Sequence, residues 1–107
     1  MTTTGAQAPQ WTSHTILTLL RAHAKPLRQL GARRLGLFGS YRHDTATAGS
    51  DIDLVVTLER PTFDSYMAVR MYLEDLFERR VDLVLESSIK PRLRHRILSE
   101  VVYVEGL

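Results

Sequence analysis

Asp51 and Asp53 stand one residue apart at the head of an apolar run, Leu54-Val55-Val56, and ten residues separate them from Gly39-Ser40, which closes the run Leu35-Gly36-Leu37-Phe38. In a β-strand residues i and i+2 face the same way, so the two carboxylates are expected to project together. Neighbouring carboxylates repel, and a divalent cation between them relieves the repulsion. A donor set made only of oxygens suits Mg²⁺ or Mn²⁺. A glycine followed by a hydroxyl, where a strand ends and a helix begins, offers backbone N–H groups and the positive end of a helix dipole to a phosphate. The combination reads as a metal–nucleotide site. A further carboxylate, Asp82, lies inside the apolar run of residues 81–85. An aspartate in a buried strand is costly without compensation, so Asp82 is expected at the edge of the same site.

The Gly39-Ser40 pair, the ten-residue spacer and Asp51-x-Asp53 in apolar surroundings resemble the signature of the DNA polymerase β-like nucleotidyltransferase superfamily. The short chain is similar to its minimal members, the MNT-domain proteins found as antitoxins beside HEPN-domain toxins. The resemblance covers roughly residues 30–104 and identifies Asp82 with the third carboxylate of the family. The family often carries Arg-Gly three and four residues after the serine. Here those positions hold His43 and Asp44, with an arginine one place earlier at Arg42. Arg42 and His43 remain candidates for contact with a triphosphate, and Asp44 is expected to cap a local turn.

The resemblance implies metal-assisted transfer of AMP from ATP to a tyrosine of a HEPN-domain RNase toxin, which neutralises it. Asp51, Asp53 and Asp82 are the expected catalytic and metal-ligating residues, with two Mg²⁺ ions, or Mn²⁺, between them. Gly39 and Ser40 are expected to hold the β- and γ-phosphates. A hetero-oligomer with the toxin follows, without a need for direct nucleic-acid binding. Two alternatives stand beside this reading. One is a binding-only antitoxin that covers its toxin's active site, for which the His43-Asp44 departure speaks. The other is transfer to a small molecule, which 107 residues are too few to serve without a borrowed acceptor pocket.

Composition agrees with one globular domain: 44% of residues are hydrophobic and 24% charged. There is no cysteine, which excludes disulfides and thiolate metal sites. No stretch approaches a membrane span and no basic-then-apolar leader opens the chain, so a cytoplasmic protein is expected. The net charge of +2 hides an imbalance, with Arg21, Lys25, Arg28, Arg33 and Arg34 before the motif and Lys90, Arg92, Arg94 and Arg96 after it.

To position these residues the chain must supply an α/β fold, expected as a small twisted mixed sheet of about four strands with helices mainly on one face and an open cleft on the other. Residues 1–11 are expected to be a flexible tail and residues 12–107 the minimal nucleotidyltransferase domain, with Trp11 anchoring the first helix. Thr12 or Ser13 can cap that helix, and Pro26 should kink it or divide it in two. Strands are expected over residues 34–38, 51–58, 81–85 and 101–104. A helix capped by Thr62 or Asp64 should pack Tyr66, Val69, Leu73, Leu76 and Phe77 on the sheet, turn Arg70, Glu74, Asp75 and Glu78 outward, and end near Arg79-Arg80. Ser87 or Ser88 should cap a last, basic helix with Pro91 in its first turn. His14, His23 and His95 have no metal-ligand partner at helical spacing and are expected at surfaces or helix ends.

Overall fold

The computed structural model describes residues 11–107; of the tail expected over residues 1–11, residues 1–10 lie outside the described residues, and Trp11 is not tail but packs on the domain. Two short helices open the chain, α1 (Ser13–Ala22) and α2 (Ala24–Gln29). Thr12 caps α1, accepting from the Thr15 backbone N–H at 3.1 Å while the Thr15 hydroxyl accepts from the Thr12 N–H at 2.8 Å. The break falls at His23, three residues before Pro26. The proline ring crowds the carbonyl four residues back, that of Ala22, and this is where α1 stops.

Four strands follow: β1 (Ala32–Phe38), β2 (Ile52–Leu58), β3 (Val81–Leu85) and β4 (Val102–Tyr103). They form one mixed sheet in the order β3-β2-β1-β4. β1 is antiparallel to β2 and to β4, and β2 is parallel to β3. Alternation decides the faces. Leu35, Leu37, Ile52, Leu54, Val56, Leu58, Val81 and Leu83 point to one side and are buried against Ile16 and Leu20 of α1, Leu27 of α2, and Val69, Leu73 and Phe77 of α4 (Phe63–Phe77). Trp11 packs edge-on against Phe77 with ring centroids 5.0 Å apart, which fixes the entry to α1.

α4 starts at its Thr62 cap, where the hydroxyl accepts from the Ser65 N–H at 3.1 Å. It stops at Phe77, earlier than expected, because Glu78 takes a left-handed conformation with φ of 51°. The polar flank of α4 was expected to face solvent; instead Arg70 and Glu74 are half-buried against the edge of β3. Glu74 Oε2 accepts from the Val81 N–H at 3.1 Å and the Tyr66 hydroxyl donates to the Leu83 carbonyl at 2.6 Å. β3 has a strand neighbour only on one side, and these two side chains close backbone groups that an open edge would leave free.

α5 (Pro91–Glu100) follows β3 and buries none of its own residues. Its Arg94 reaches Glu86, whose carboxylate accepts from Thr57 of β2, and Val101 at its end lies over Gly36 of β1. Gly36 has no side chain because Val101 and Tyr103 fill that space. Neither Ser87 nor Ser88 caps α5. Both lie in a single 3-10 turn, Glu86–Ser88, and Lys90 precedes Pro91 without a side-chain cap. Among the described residues no helix is long and apolar enough to cross a membrane.

Candidate active site

β1 delivers the chain to Gly39, and the short α3 (Gly39–Arg42) begins there. Gly39 has φ of +77°, a conformation that favours glycine. Phe38 is the register partner of Asp53, and a Cβ built on Gly39 would lie 2.8 Å from the Asp53 carboxyl carbon. The turn and the aspartate are therefore in direct contact, and only a residue without a side chain fits between them. The Ser40 carbonyl accepts from the Thr45 N–H at 2.9 Å, which folds the following loop back onto the turn.

Asp53 and Asp82 are register partners across the parallel β2–β3 pair, so their side chains project from the same face. Asp53 is half-buried, whereas Asp82 and Asp51 are exposed. Desolvation, then the charge of Asp82 and hydrogen bonding with it, then the charge of Asp51, push the Asp53 carboxyl up to about 6. β2 begins at Ile52, so Asp51 stands just ahead of the strand and not within it. Asp53 thus faces Asp82 in register, and Asp51, two residues before Asp53, adds its charge to the same carboxyl. Two adjoining carboxylates that repel, joined by oxygen donors only, fit a hard divalent cation. Among the described residues no three acids or histidines already converge as a metal cage.

Arg42 and His43 follow the turn but are engaged with the end of α5. Arg42 Nε donates to the Glu100 carbonyl at 3.0 Å, and His43 Nε2 lies 2.8 Å from Glu100 Oε1. The hydrogen bond from His43 holds the Glu100 carboxyl below its usual range. Asp44 does not cap a local turn. Its carboxylate accepts from the Ser13 N–H at 3.0 Å and the Ser13 hydroxyl at 3.2 Å, and so caps the first turn of α1.

Beyond Asp82, on the side away from Gly39, a cleft of about 350 Å³ is lined by Asp51, Asp82, Tyr66, Arg70 and Arg80. The sequence reading missed Tyr66, Arg70 and Arg80 as site residues, and Glu100 as the partner of His43. A signal for the first was present: Tyr66, Arg70 and Glu74 recur every four residues along one flank of α4. Of the other histidines, His14 and His95 are exposed, and His23 Nδ1 lies 2.5 Å from the Tyr72 hydroxyl.

Residues 20–104 match the nucleotidyltransferase domain family. The chain is 43% identical over 91 residues to a protein of Thermococcus cleftensis named protein adenylyltransferase MntA, covering 83% of this chain and 92% of that one. A solved structure assigned as a minimal nucleotidyltransferase superposes with a TM-score of 0.68 at 35% identity, covering 80% of this chain and 93% of that one. The fold is also that of a structure of a tri-AMPylated Shewanella oneidensis HEPN toxin in complex with its MNT antitoxin, with a TM-score of 0.60 at 21% identity over 85% of this chain and 73% of that one. With a family match that spans most of the described residues and a relative this similar over nearly its full length, the chain belongs to the nucleotidyltransferase domain family.

Proposed function

We propose that this chain is a protein adenylyltransferase that moves AMP from ATP to a tyrosine of a partner HEPN-domain toxin and thereby neutralises it. The observation that supports the reading is the in-register Asp53–Asp82 pair on adjacent strands, with Gly39 packed against one of its carboxylates. A pair of facing like charges, one of them half-buried, weakens a fold, and it makes sense where those charges bind something. The Thermococcus relative's name supplies the class of reaction, and the HEPN toxin named with the Shewanella antitoxin supplies the class of partner.

In this reading Asp51, Asp53 and Asp82 hold Mg²⁺, or Mn²⁺ in its place, which when bound supplies charge neutralisation for the triphosphate and the acceptor oxygen. The backbone of Gly39 and Ser40 cradles the β- and γ-phosphates. Arg42 and His43 reach the triphosphate only after releasing Glu100. Asp82 accepts the proton of the tyrosine hydroxyl as its oxygen forms a bond to the α-phosphorus. The bond from that phosphorus to the bridging oxygen breaks, and pyrophosphate leaves. Orientation of the two reactants in line accounts for much of the rate.

The test is to incubate the chain with its partner toxin, Mg²⁺ and ATP labelled at the α-phosphate, beside Asp53→Asn and a γ-labelled control. Label on the toxin from the α-position, with wild type alone, is the expected result. Equal labelling by Asp53→Asn would remove the aspartate assignment, and no labelling by a wild type that still captures the toxin would leave neutralisation by binding.

A further inference from the structure

The phosphate-facing turn and the arginine-lined cleft flank the aspartates from opposite sides. Across the sheet the sequence of positions is Gly39 at the end of β1, Asp53 on β2, Asp82 on β3, and then the cleft with Arg70 and Arg80. If the triphosphate lies at the turn, the cleft lies where an acceptor must enter.

Two guanidiniums stand at that entrance beside Asp51 and Asp82, Arg70 in a long ion pair with Glu74 and Arg80 in none among the described residues. Arg70 Nε is shielded from solvent without a hydrogen bond. Its nearest acid, Glu74 Oε2, is 3.7 Å away and already accepts from the Val81 N–H. Arg80 is exposed and forms no ion pair among the described residues. A tyrosine hydroxyl is neutral and offers a guanidinium a single acceptor oxygen, whereas a carboxylate or a phosphodiester brings a negative charge and two oxygens that match the guanidinium fork. The cleft is too open to exclude water, so charge and not apolar burial must select its occupant.

We infer that Arg70 and Arg80 form an anion subsite on the acceptor side of the aspartates, one that selects an acceptor hydroxyl flanked by a carboxylate or a phosphate group. This rests on the transferase reading above and deepens it. The anion comes either from an acidic residue beside the acceptor tyrosine or from the phosphodiester of an acceptor that already carries AMP.

Three fluorescein-labelled tyrosine peptides separate the cases: one with neutral flanks, one with glutamate flanks, and one whose tyrosine is already adenylylated. Binding is read by fluorescence anisotropy, and AMP transfer by KM and kcat, for wild type, Arg80→Gln, Arg70→Lys and the Arg70→Gln/Arg80→Gln pair. Wild type is expected to bind one anionic peptide about tenfold more tightly than the neutral one, the gain of one charge-assisted contact. Preference for the glutamate peptide alone assigns the carboxylate source, and preference for the adenylylated peptide alone assigns the phosphate source. Arg80→Gln should lose most of that preference through KM with kcat and the KM for ATP unchanged, and Arg70→Lys should keep part of it. Arg80 is exposed, so its variant stays folded and decides the matter if the double variant does not. Equal binding of all three peptides by wild type, or a rise in the KM for ATP in Arg80→Gln, overturns the subsite. Absence of transfer to every peptide and to the toxin would count against the transferase reading, while anisotropy still decides the subsite.

Discussion

Asp53 and Asp82 face one another in register across parallel strands, and partial burial together with the charge of Asp82 pushes the Asp53 carboxyl up to about 6. The sign of the consequence follows from linkage. A carboxyl whose folded value is raised binds its proton more tightly in the folded chain, so its stabilising effect is complete below the ordinary aspartate value and is lost as pH rises through about 6. The metal-free chain should therefore melt at lower temperature at pH 7.5 than at pH 5. Asp53→Asn should remove most of that slope and raise stability at pH 7.5 by roughly 1 kcal/mol, after allowing for solvent screening of a half-buried group. The same variant should lose AMP transfer. Thermal melts across pH check the first part, and a slope unchanged by Asp53→Asn would show that the pair is not its source.

Gly39→Ala should damage the site more than the fold. The left-handed conformation costs an alanine about 1–2 kcal/mol. The added methyl also meets the Asp53 carboxyl carbon, at 2.8 Å, so the aspartate has to move. The expected outcome is a modest drop in melting temperature with at least a tenfold loss of transfer. Near-normal activity in this variant would mean that the turn and Asp53 are free to part.

Removing the side chains that close the edge of β3 should weaken the sheet. Tyr66→Phe deletes the hydrogen bond to the Leu83 carbonyl and should cost about 1 kcal/mol, since its acceptor lies at a half-buried edge. Glu74→Gln can still accept from the Val81 N–H and should cost less. Chemical denaturation of the two variants gives the comparison. A loss as large in Glu74→Gln would show that the Glu74 charge, which faces Arg70 at 3.7 Å, contributes beyond its bond to the Val81 N–H.

Much of this arrangement was legible in the sequence because period-two and helical patterns are strong where one face is buried. Strand assignments near residues 34–38, 51–58 and 81–85, a first helix divided ahead of Pro26, and helix starts capped at Thr12 or Ser13 and at Thr62 or Asp64 follow from local rules, with the structure choosing Thr12 and Thr62. The placement of Asp82 beside Asp53 also followed, since a charge in an apolar strand demands a reason. What sequence could not resolve was the register between the strands that carry the aspartates. It is the parallel pairing of β2 with β3 that sets Asp82 opposite Asp53. Helical periodicity told which side of α4 meets the sheet, but not that its polar flank would meet the edge of β3. Partners distant in the chain, such as Ser13 with Asp44 or Arg42 with Glu100, leave no local trace at all.

Asp44 offers a last test, because its position in the chain and its position in space suggest opposite roles. By sequence it follows the phosphate turn closely and would repel a triphosphate. In the fold its carboxylate is spent on the Ser13 N–H and hydroxyl at the start of α1, and its own backbone is left-handed with φ of 56°. Asparagine tolerates that conformation and keeps an acceptor oxygen, so Asp44→Asn should cost only a few tenths of a kcal/mol. Alanine loses the cap and is strained in that conformation, so Asp44→Ala should cost about 2 kcal/mol. Neither change should alter the KM for ATP. If Asp44→Asn instead lowers that KM severalfold at unchanged stability, the carboxylate acts on the triphosphate and its hold on α1 is secondary.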